Sequence, residues 1–422
     1  MDKLLITGGR QLKGTVQISG SKNSALPIIA AAILTDEPCI IRNVPNLDDI
    51  GAMIKLLQFI GVSAKRREDD ALEIRAEQPL GVCPYELVRK MRASICLLGP
   101  LTARLKKCKI SLPGGCVIGD RPVDIHLKGL KRLGAKITIE QGYIYAQAQE
   151  LVGSEIFLGG RFGSTVLGTA NLMMAASLAK GTTIIESAAC EPEIVDLADF
   201  MTKMGARIKG AGSPIIEVEG VQHLRGTEHD VIPDRIEAGT FMVAAAITGG
   251  DVEIKGVKPH HLGAVWDKLE ESGVDVYRNG SIRVRRNTPL KPVDVITMPY
   301  PGFPTDMQAQ MSALMAVTPG ISVITEKIFP NRFMHVSELA RLGANVSLEG
   351  ASAIVKGVEK LSGAPVMASD LRASAALVLA GLVADGETEV KRIYHVDRGY
   401  ERIDEKLRSL GAKIERVPEE NF

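Results

Sequence analysis

Hydrophobic residues recur at helical spacing along the chain, and one pattern returns six times at a period of about 70 residues. In each copy an amphipathic helix ends at a glycine, and the alternating residues that follow indicate a strand. A glycine at this place supplies the left-handed residue that ends a helix. The chain is therefore predicted to contain six helix–strand units, whose glycines are Gly61, Gly134, Gly205, Gly273, Gly343 and Gly411.

A second kind of helix alternates with the first and is apolar on nearly every face. Such a helix must be buried on all sides. Each copy is followed by a turn and a short strand rich in β-branched residues. The six copies read SALPIIAAAIL, MRASICLLGPLTA, GTANLMMAASLA, RIEAGTFMVAAAI, MQAQMSALMAV and LRASAALVLAGLVA.

These two patterns predict an α/β fold with helices inside and sheets outside, divided into two domains of three units. A chain of 422 residues is also too long for one ordinary core. We expect one domain over residues 22–230 and the other over residues 1–21 plus 231–422, with the active site in the cleft between them. The N-terminal segment LLITGGRQLKGTVQISG is expected to join the C-terminal half.

Composition excludes several functional classes. Lys and Arg total 51 against 50 Asp and Glu, so the net charge of +1 argues against nucleic-acid or membrane partners held by overall charge. No apolar run has the length of a membrane span. The six cysteines form no CxxC pair and no signal peptide is evident, which favours the reduced cytoplasm. The seven histidines lack ligand spacing, so we expect neither a metal nor a cofactor.

The segment LPGGCVIGDRPVD, residues 112–124, is the strongest candidate for chemistry. It places Cys116 in a glycine-bounded loop five residues before Arg121. A nearby arginine favours both a thiolate and an anionic substrate. The alternative is that the glycines only turn the chain and that Cys116 is a small, partly buried residue.

Charged and polar residues also collect at the N-terminal ends of the buried helices. Acids at such positions are explained by ordinary capping, but a base opposes the helix dipole and therefore suggests a bound anion. A solvated side chain is the alternative for each base. The residues concerned are Lys22, Asn23, Arg92, Asp234, Arg235, Thr305, Asp306, Ser369, Asp370 and Arg372.

Nine segments spread over the whole chain resemble one family. They are SGSKNSALPIIAAAIL, VRKMRASICLLGPL, LPGGCVIGDRPVDIHLKGL, EPEIVDLADF, IPDRIEAGTF, YPGFPTDMQAQ, NRFMHVSELARLGA, DLRASAALVLAG and HVDRGYERIDEKL. They are similar to the UDP-N-acetylglucosamine 1-carboxyvinyltransferases, the enolpyruvyl transferases of peptidoglycan synthesis. The resemblance implies two inside-out α/β barrel domains, each made of three βαβαββ units that close over substrate. It also implies transfer of the enolpyruvyl group of phosphoenolpyruvate to the 3-hydroxyl of UDP-N-acetylglucosamine, with release of phosphate.

The resemblance assigns roles to individual residues. Cys116 resembles the general acid, Asp306 the base at the sugar hydroxyl, and Asp370 a residue that assists proton transfer. Sensitivity to fosfomycin is also implied, because residue 116 is cysteine. The phosphate of phosphoenolpyruvate would be held by Lys22, Arg121 and Arg398, its carboxylate by Arg332 and Arg372, and the nucleotide sugar by Asn23, Arg92, Pro122, Val123, Asp124, Ile125, Asp306 and Ile328.

Other functions remain as alternatives at this stage. The shikimate-pathway enolpyruvyl transferases resemble the same fold, but they lack the cysteine loop, and their LGNAGT motif is absent here. A sugar-nucleotide sensor without turnover is a second alternative, and the joint presence of Lys22, Cys116, Asp306, Asp370 and Arg398 argues against it. Arg372 and Arg398 could also form ordinary ion pairs with acidic partners.

Overall fold

The computed structural model describes residues 2–114 and 123–419, and all structural statements below concern these residues. Its strands begin with the N-terminal pair β1 (Asp2–Thr7) and β2 (Lys13–Gln17). The next twelve are β3 (Cys39–Arg42), β4 (Ser63–Arg66), β5 (Leu72–Arg75), β6 (Val82–Cys83), β7 (Lys107–Ser111), β8 (Lys136–Glu140), β9 (Tyr143–Gln147), β10 (Glu155–Phe157), β11 (Thr182–Glu186), β12 (Arg207–Lys209), β13 (Ile215–Glu219) and β14 (Glu228–Asp230). The last ten are β15 (Asp251–Lys255), β16 (Asp275–Arg278), β17 (Ile282–Arg285), β18 (Val295–Ile296), β19 (Ile321–Thr325), β20 (Asn345–Glu349), β21 (Ser352–Lys356), β22 (Pro365–Met367), β23 (Glu387–Lys391) and β24 (Lys413–Pro418).

The α-helices alternate with these strands. They are α1 (Lys22–Ala31), α2 (Asp48–Phe59), α3 (Tyr85–Val88), α4 (Leu98–Leu105), α5 (Asp124–Arg132), α6 (Val166–Ala176), α7 (Pro192–Lys203), α8 (Arg235–Thr248), α9 (Gly263–Glu271), α10 (Gln308–Ala316), α11 (Met334–Arg341), α12 (Leu371–Gly381), α13 (Tyr394–Asp397) and α14 (Ile403–Ser409). Short 3-10 helices lie at Ala32–Leu34, Arg92–Leu97, Pro259–Leu262 and Thr305–Met307.

The strands form six separate four-stranded sheets with one common pattern. In each sheet one edge strand is parallel to its neighbour, and the other two pairings are antiparallel. In the order β6-β7-β9-β8, for example, β6 is parallel to β7. The predicted α/β class is confirmed. In the described part of the chain, however, no sheet closes on itself, so three separate sheets take the place of each expected barrel.

The apolar helices lie in the interior, as their sequences predict. Every residue of α8 and α10 is buried, and α1, α6 and α12 are nearly as deep. The segment that opens at Arg92 differs from the prediction, because it starts as a 3-10 helix and becomes α-helical only at Leu98. Pro100 has no N–H to donate to the carbonyl of Cys96, which explains the late start. All six repeat glycines have positive φ, from 82° to 102°.

The described residues divide into two compact units, one over residues 20–114 and 123–232 and the other over residues 2–19 and 233–419. Each unit contains three of the sheets around three buried helices. The N-terminal segment joins the C-terminal half through two different sheets, since β1 pairs with β23 and β24 while β2 pairs with β15. No helix in the described ranges is long and apolar enough to cross a membrane.

Candidate active site

In the unit spanning residues 20–232, the predicted site residues lie at the N-terminal ends of helices. Lys22 is the first residue of α1, which Ser21 caps by accepting a hydrogen bond from the Ser24 N–H at 3.3 Å. The Lys22 side chain is buried, and its Nζ lies 3.2 Å from Oδ2 of Asp49 in the first turn of α2. This ion pair fixes a cation at the beginning of a buried helix, with the half-buried Asn23 beside it.

Arg92 and the start of α5 form a second part of this unit's site. Arg92 opens its 3-10 helix, and its charge acts on His126 of α5. Burial, assisted by Arg92, lowers the pKa of His126 to about 4, so the imidazole is neutral at pH 7. Its Nδ1 lies 2.9 Å from the side-chain nitrogen of Asn171. The predicted nucleotide contacts Val123, Asp124 and Ile125 lie at the N-terminal end of α5.

Three predicted residues, Cys116, Arg121 and Pro122, lie outside the described residues. Their roles therefore remain predictions from the sequence.

In the other unit, four predicted residues form one compact cluster. Arg332 Nη1 donates to Asp306 Oδ1 at 2.8 Å, and its Nη2 lies 3.9 Å from Asp370 Oδ1. Arg372 Nε lies 3.4 Å from the other Asp306 oxygen, Oδ2. The sequence separates these residues by up to 66 positions, and the fold brings their charges together.

The acids of this cluster differ in what holds them. Asp370 caps α12, because its Oδ1 accepts the N–H groups of Arg372 and Ala373 at 2.7 and 3.1 Å. Asp234 caps α8 in the same way. Asp306 instead lies in the 3-10 turn before α10, with its side chain 24% exposed and directed at two arginines. Capping therefore explains Asp234 and Asp370 locally, but it does not explain Asp306.

The two arginines are buried cations. Arg332 is inside the unit, where burial lowers its pKa but Asp306 and Asp370 more than restore it, so the net shift is upward. Arg372 is only 1% exposed, and among the described residues none of its three guanidinium nitrogens makes a hydrogen bond of normal geometry. Its guanidinium carbon lies 5.0 Å from the centre of the Tyr400 ring. Since Arg donates up to five hydrogen bonds, Arg372 has capacity for an anionic ligand.

Arg398 and Ile328 belong to the same unit as this cluster. Arg398 ends α13, near the half-buried His395. Burial is the main cause that lowers the pKa of His395, and the charges of Arg398 and Arg392 lower it further. Asp370 opposes this shift. Ile328 belongs to the segment between β19 and α11 that also carries Arg332.

Sequence reasoning missed two buried residues beside these side chains. Glu326 accepts four hydrogen bonds, among them the N–H of Ile328 at 2.8 Å. His335 is buried next to Arg332 and Asp370, and burial, the largest effect, lowers its pKa to about 4. Glu326 lies at no helix start, and His335 is the second residue of α11, which is one of the amphipathic helices and not one of the apolar helices whose starts carry the predicted residues. In the described ranges no group of three His, Cys, Asp or Glu side chains could hold a metal ion.

Comparisons with known proteins identify relatives that match the whole chain. The family model for EPSP synthase (3-phosphoshikimate 1-carboxyvinyltransferase) matches residues 6–407. The UDP-N-acetylglucosamine 1-carboxyvinyltransferase of Methylacidiphilum infernorum is 56% identical over 418 residues and covers 99% of both chains. The enzyme of the same name from Akkermansia muciniphila is 55% identical over 425 aligned positions and covers 100% of both.

Solved structures give the same answer for the fold. The enolpyruvyl transferase NikO from Streptomyces tendae superposes with a TM-score of 0.88 at 25% identity, covering 99% of each chain. EPSP synthase from Acinetobacter baumannii gives 0.73 at 20% identity, over 99% of this chain and 100% of that one, and so supports the fold alone. With full-length relatives above 50% identity, the chain belongs to the family of the UDP-N-acetylglucosamine 1-carboxyvinyltransferases.

Proposed function

We propose that this protein transfers the enolpyruvyl group of phosphoenolpyruvate to the 3-hydroxyl of UDP-N-acetylglucosamine and releases phosphate. The observation that carries the proposal is the pair of buried arginines around Asp306, in a chain whose full-length relatives bear the name of this activity. The reaction would supply a precursor of peptidoglycan. We place it in the cytoplasm, which agrees with the free thiols of the described cysteines.

The carboxylate of phosphoenolpyruvate is assigned to Arg372 and Arg332. Arg372 makes no hydrogen bond of normal geometry among the described residues, where Tyr400 and Asp306 are its partners, and a planar carboxylate matches its paired N–H groups. The phosphate is assigned to Lys22, Arg121 and Arg398, whose positive charges would stabilise it as it leaves. The remaining predicted residues, Asn23, Arg92, Pro122, Val123, Asp124, Ile125, Asp306 and Ile328, are assigned to the nucleotide sugar.

The chemistry requires one acid and one base. As the sugar oxygen bonds to C2 of phosphoenolpyruvate, C3 gains a proton from the Cys116 thiol, and the sugar hydroxyl gives its proton to the Asp306 carboxylate. Loss of phosphate from C2 and of a proton from C3 then restores the double bond in the product. Asp370, 3.9 Å from Arg332, assists the proton transfers.

Asp306 must leave its arginines before it can act as a base. Its two oxygens face Arg332 at 2.8 Å and Arg372 at 3.4 Å, so its negative charge occupies the place of a substrate carboxylate. Binding of phosphoenolpyruvate gives both arginines a competing anion. Asp306, being partly exposed, is then able to turn toward the sugar hydroxyl. In this scheme the binding of phosphoenolpyruvate releases the base that acts on the sugar hydroxyl.

The test is phosphate release from phosphoenolpyruvate, measured with UDP-N-acetylglucosamine, with shikimate 3-phosphate, and with a Cys116→Ser variant, and with the product mass recorded. We expect release only with the nucleotide sugar, a product that carries the enolpyruvyl ether, and loss of turnover in the variant. Phosphate release with shikimate 3-phosphate instead would identify that compound as the acceptor. Binding of the nucleotide sugar without turnover would indicate a sensor.

A further inference from the structure

Glu326 is a fully buried carboxylate that follows β19 directly. Its Oε1 accepts hydrogen bonds from the Thr297 hydroxyl at 2.7 Å and from the N–H groups of Ile328 and Phe329 at 2.8 and 2.9 Å. Its Oε2 accepts from the Thr305 hydroxyl at 2.8 Å. In the part of the chain that the structure describes, no Lys, Arg or His nitrogen lies within ion-pair distance of this carboxylate.

A buried carboxylate whose hydrogen bonds all come from neutral donors is costly for a fold to keep, because several kcal/mol of solvation are lost without a direct counter-ion. Arg332 interacts electrostatically with Glu326, but from beyond ion-pair distance. The four bonds return part of that energy only if all are made together. A simple turn between a strand and a helix does not need such a group. This cost indicates that the arrangement around Glu326 serves the activity of the protein and not only its fold.

The hydrogen bonds of Glu326 connect it, through Thr305, to the cluster of Arg332 and Asp306. Thr305 has one proton and donates it to Glu326, so its oxygen lone pairs are left to accept the 3.1 Å bond from Arg332 Nη1. The same Nη1 atom donates to Asp306 at 2.8 Å. Glu326 thereby sets the hydroxyl orientation that lets one arginine nitrogen bind both Thr305 and the neighbouring carboxylate.

We infer that Glu326 is a positioning residue for the transfer reaction: it joins the turn of Asp306 to the segment that carries Ile328 and Arg332. The inference rests on the proposed function and adds a residue to it. Glu326 touches no substrate in this scheme. It fixes the base, the arginine for the carboxylate, and a backbone contact for the nucleotide sugar in one arrangement.

Glu326→Gln tests the inference with almost no change in volume. In either orientation of the new amide, an N–H₂ group faces a donor, so at least one of the four donors loses its acceptor. We expect kcat/KM for UDP-N-acetylglucosamine to fall by about 10- to 100-fold, the range for a displaced catalytic group. Thr305→Val should reduce it similarly, whereas Thr305→Ser, which keeps the hydroxyl, should restore activity to within about threefold of wild type.

Thr318→Val is the matched control for hydroxyl removal. Thr318 is buried in the same unit, whereas Thr305 is half-buried. Among the described residues the Thr318 hydroxyl donates only to the carbonyl of Leu314, at 2.8 Å. It should lower the melting temperature without changing kcat or either KM. Because Glu326 acts through Thr305, the double variant Glu326→Gln/Thr305→Val should lose little more activity than the weaker single variant.

The outcomes separate the inference from the proposed function. A wild-type protein that releases no phosphate refutes the proposed function, and a role of Glu326 in that reaction falls with it. An active wild type overturns the inference alone if Glu326→Gln keeps full kcat/KM. The same holds if Thr305→Ser is as poor as Thr305→Val, or if the two losses simply multiply in the double variant.

Discussion

Replacement of Arg372 by methionine should show whether this arginine binds the substrate or only stabilises the fold. Arg372 is the largest side chain that is fully buried in the described part of the protein, and its three guanidinium nitrogens make no hydrogen bond of normal geometry there. Burial lowers its pKa, but Tyr400 and Asp306 outweigh this effect and raise it. Its nearest charged partner is Asp306, at 3.4 Å. Methionine has a comparable length, carries no charge and adapts to irregular cavities.

Arg372→Met should reduce both stability and catalysis. It removes one partner of a buried ion pair, a loss that costs about 3–5 kcal/mol. Asp306 keeps Arg332 at 2.8 Å and is partly exposed, so the loss of stability should lie at the low end of this range. For a unit of this size each kcal/mol moves the melting temperature by about 2–4 °C. Losing two charge-assisted hydrogen bonds to a substrate carboxylate costs about 1.5–3 kcal/mol each, which lowers kcat/KM for phosphoenolpyruvate by about 10²- to 10⁴-fold.

The assay combines calorimetry of the ligand-free protein with phosphate release at varied phosphoenolpyruvate and saturating nucleotide sugar. Arg341→Met is the matched control, because Arg341 lies in the same unit but is 57% exposed. This control should change neither quantity appreciably. The reasoning is refuted if Arg372→Met lowers the melting temperature by several degrees while leaving kcat/KM for phosphoenolpyruvate unchanged, since the arginine would then be a structural residue.

Three further predictions concern other parts of the molecule. The pKa of His335 falls from 6.5 to about 4 on folding, so the unfolded chain takes up the proton first and the stability present above pH 6.5 is lost as the pH falls toward 4. His335→Phe should weaken the dependence of the melting temperature on pH in this window. An unchanged dependence would contradict the assignment to His335. Gly129→Ala would place a Cβ 2.3 Å from Cδ1 of Leu172, which should displace α5, destabilise by about 1–3 kcal/mol and weaken nucleotide-sugar binding. Adding Leu172→Ala should recover part of both losses, whereas no recovery would place the strain elsewhere. Fosfomycin should inactivate the wild type with a mass increase on the peptide that contains Cys116 and leave Cys116→Asp active; inactivation of both would exclude that thiol as the target.

Much of the fold was predictable because the same local sequence signals recur in every unit. A glycine that ends a helix needs positive φ wherever it stands, and all six repeat glycines have it. Likewise, helices without a polar face had to be interior. The 3-10 start at Arg92 was missed because the donor lost at Pro100 acts one turn earlier in the chain.

The site was predictable only where helix starts marked it. The sequence placed Asp306 and Asp370 in the same class, and only the fold shows that Asp370 caps a helix while Asp306 faces two arginines. Glu326 had no detectable signal, because its donors lie between 2 and 29 positions away and follow no helical or strand period. Residue contacts of this kind depend on which strands become neighbours, and that is decided by the tertiary structure.

The pairing of β1 and β2 has a consequence for biosynthesis. The described residues of one unit, 20–114 and 123–232, all lie between the two parts of the other unit, which needs strands from residues 2–19 as well as from residues after 232. During translation the first 19 residues emerge early, yet β2 must wait for β15, and β1 must wait for β23 and β24. The middle unit is therefore able to fold on the ribosome while the leading strands remain unpaired. A nascent chain stalled soon after residue 232 should contain one folded unit and an unpaired N-terminal segment that chaperones could bind.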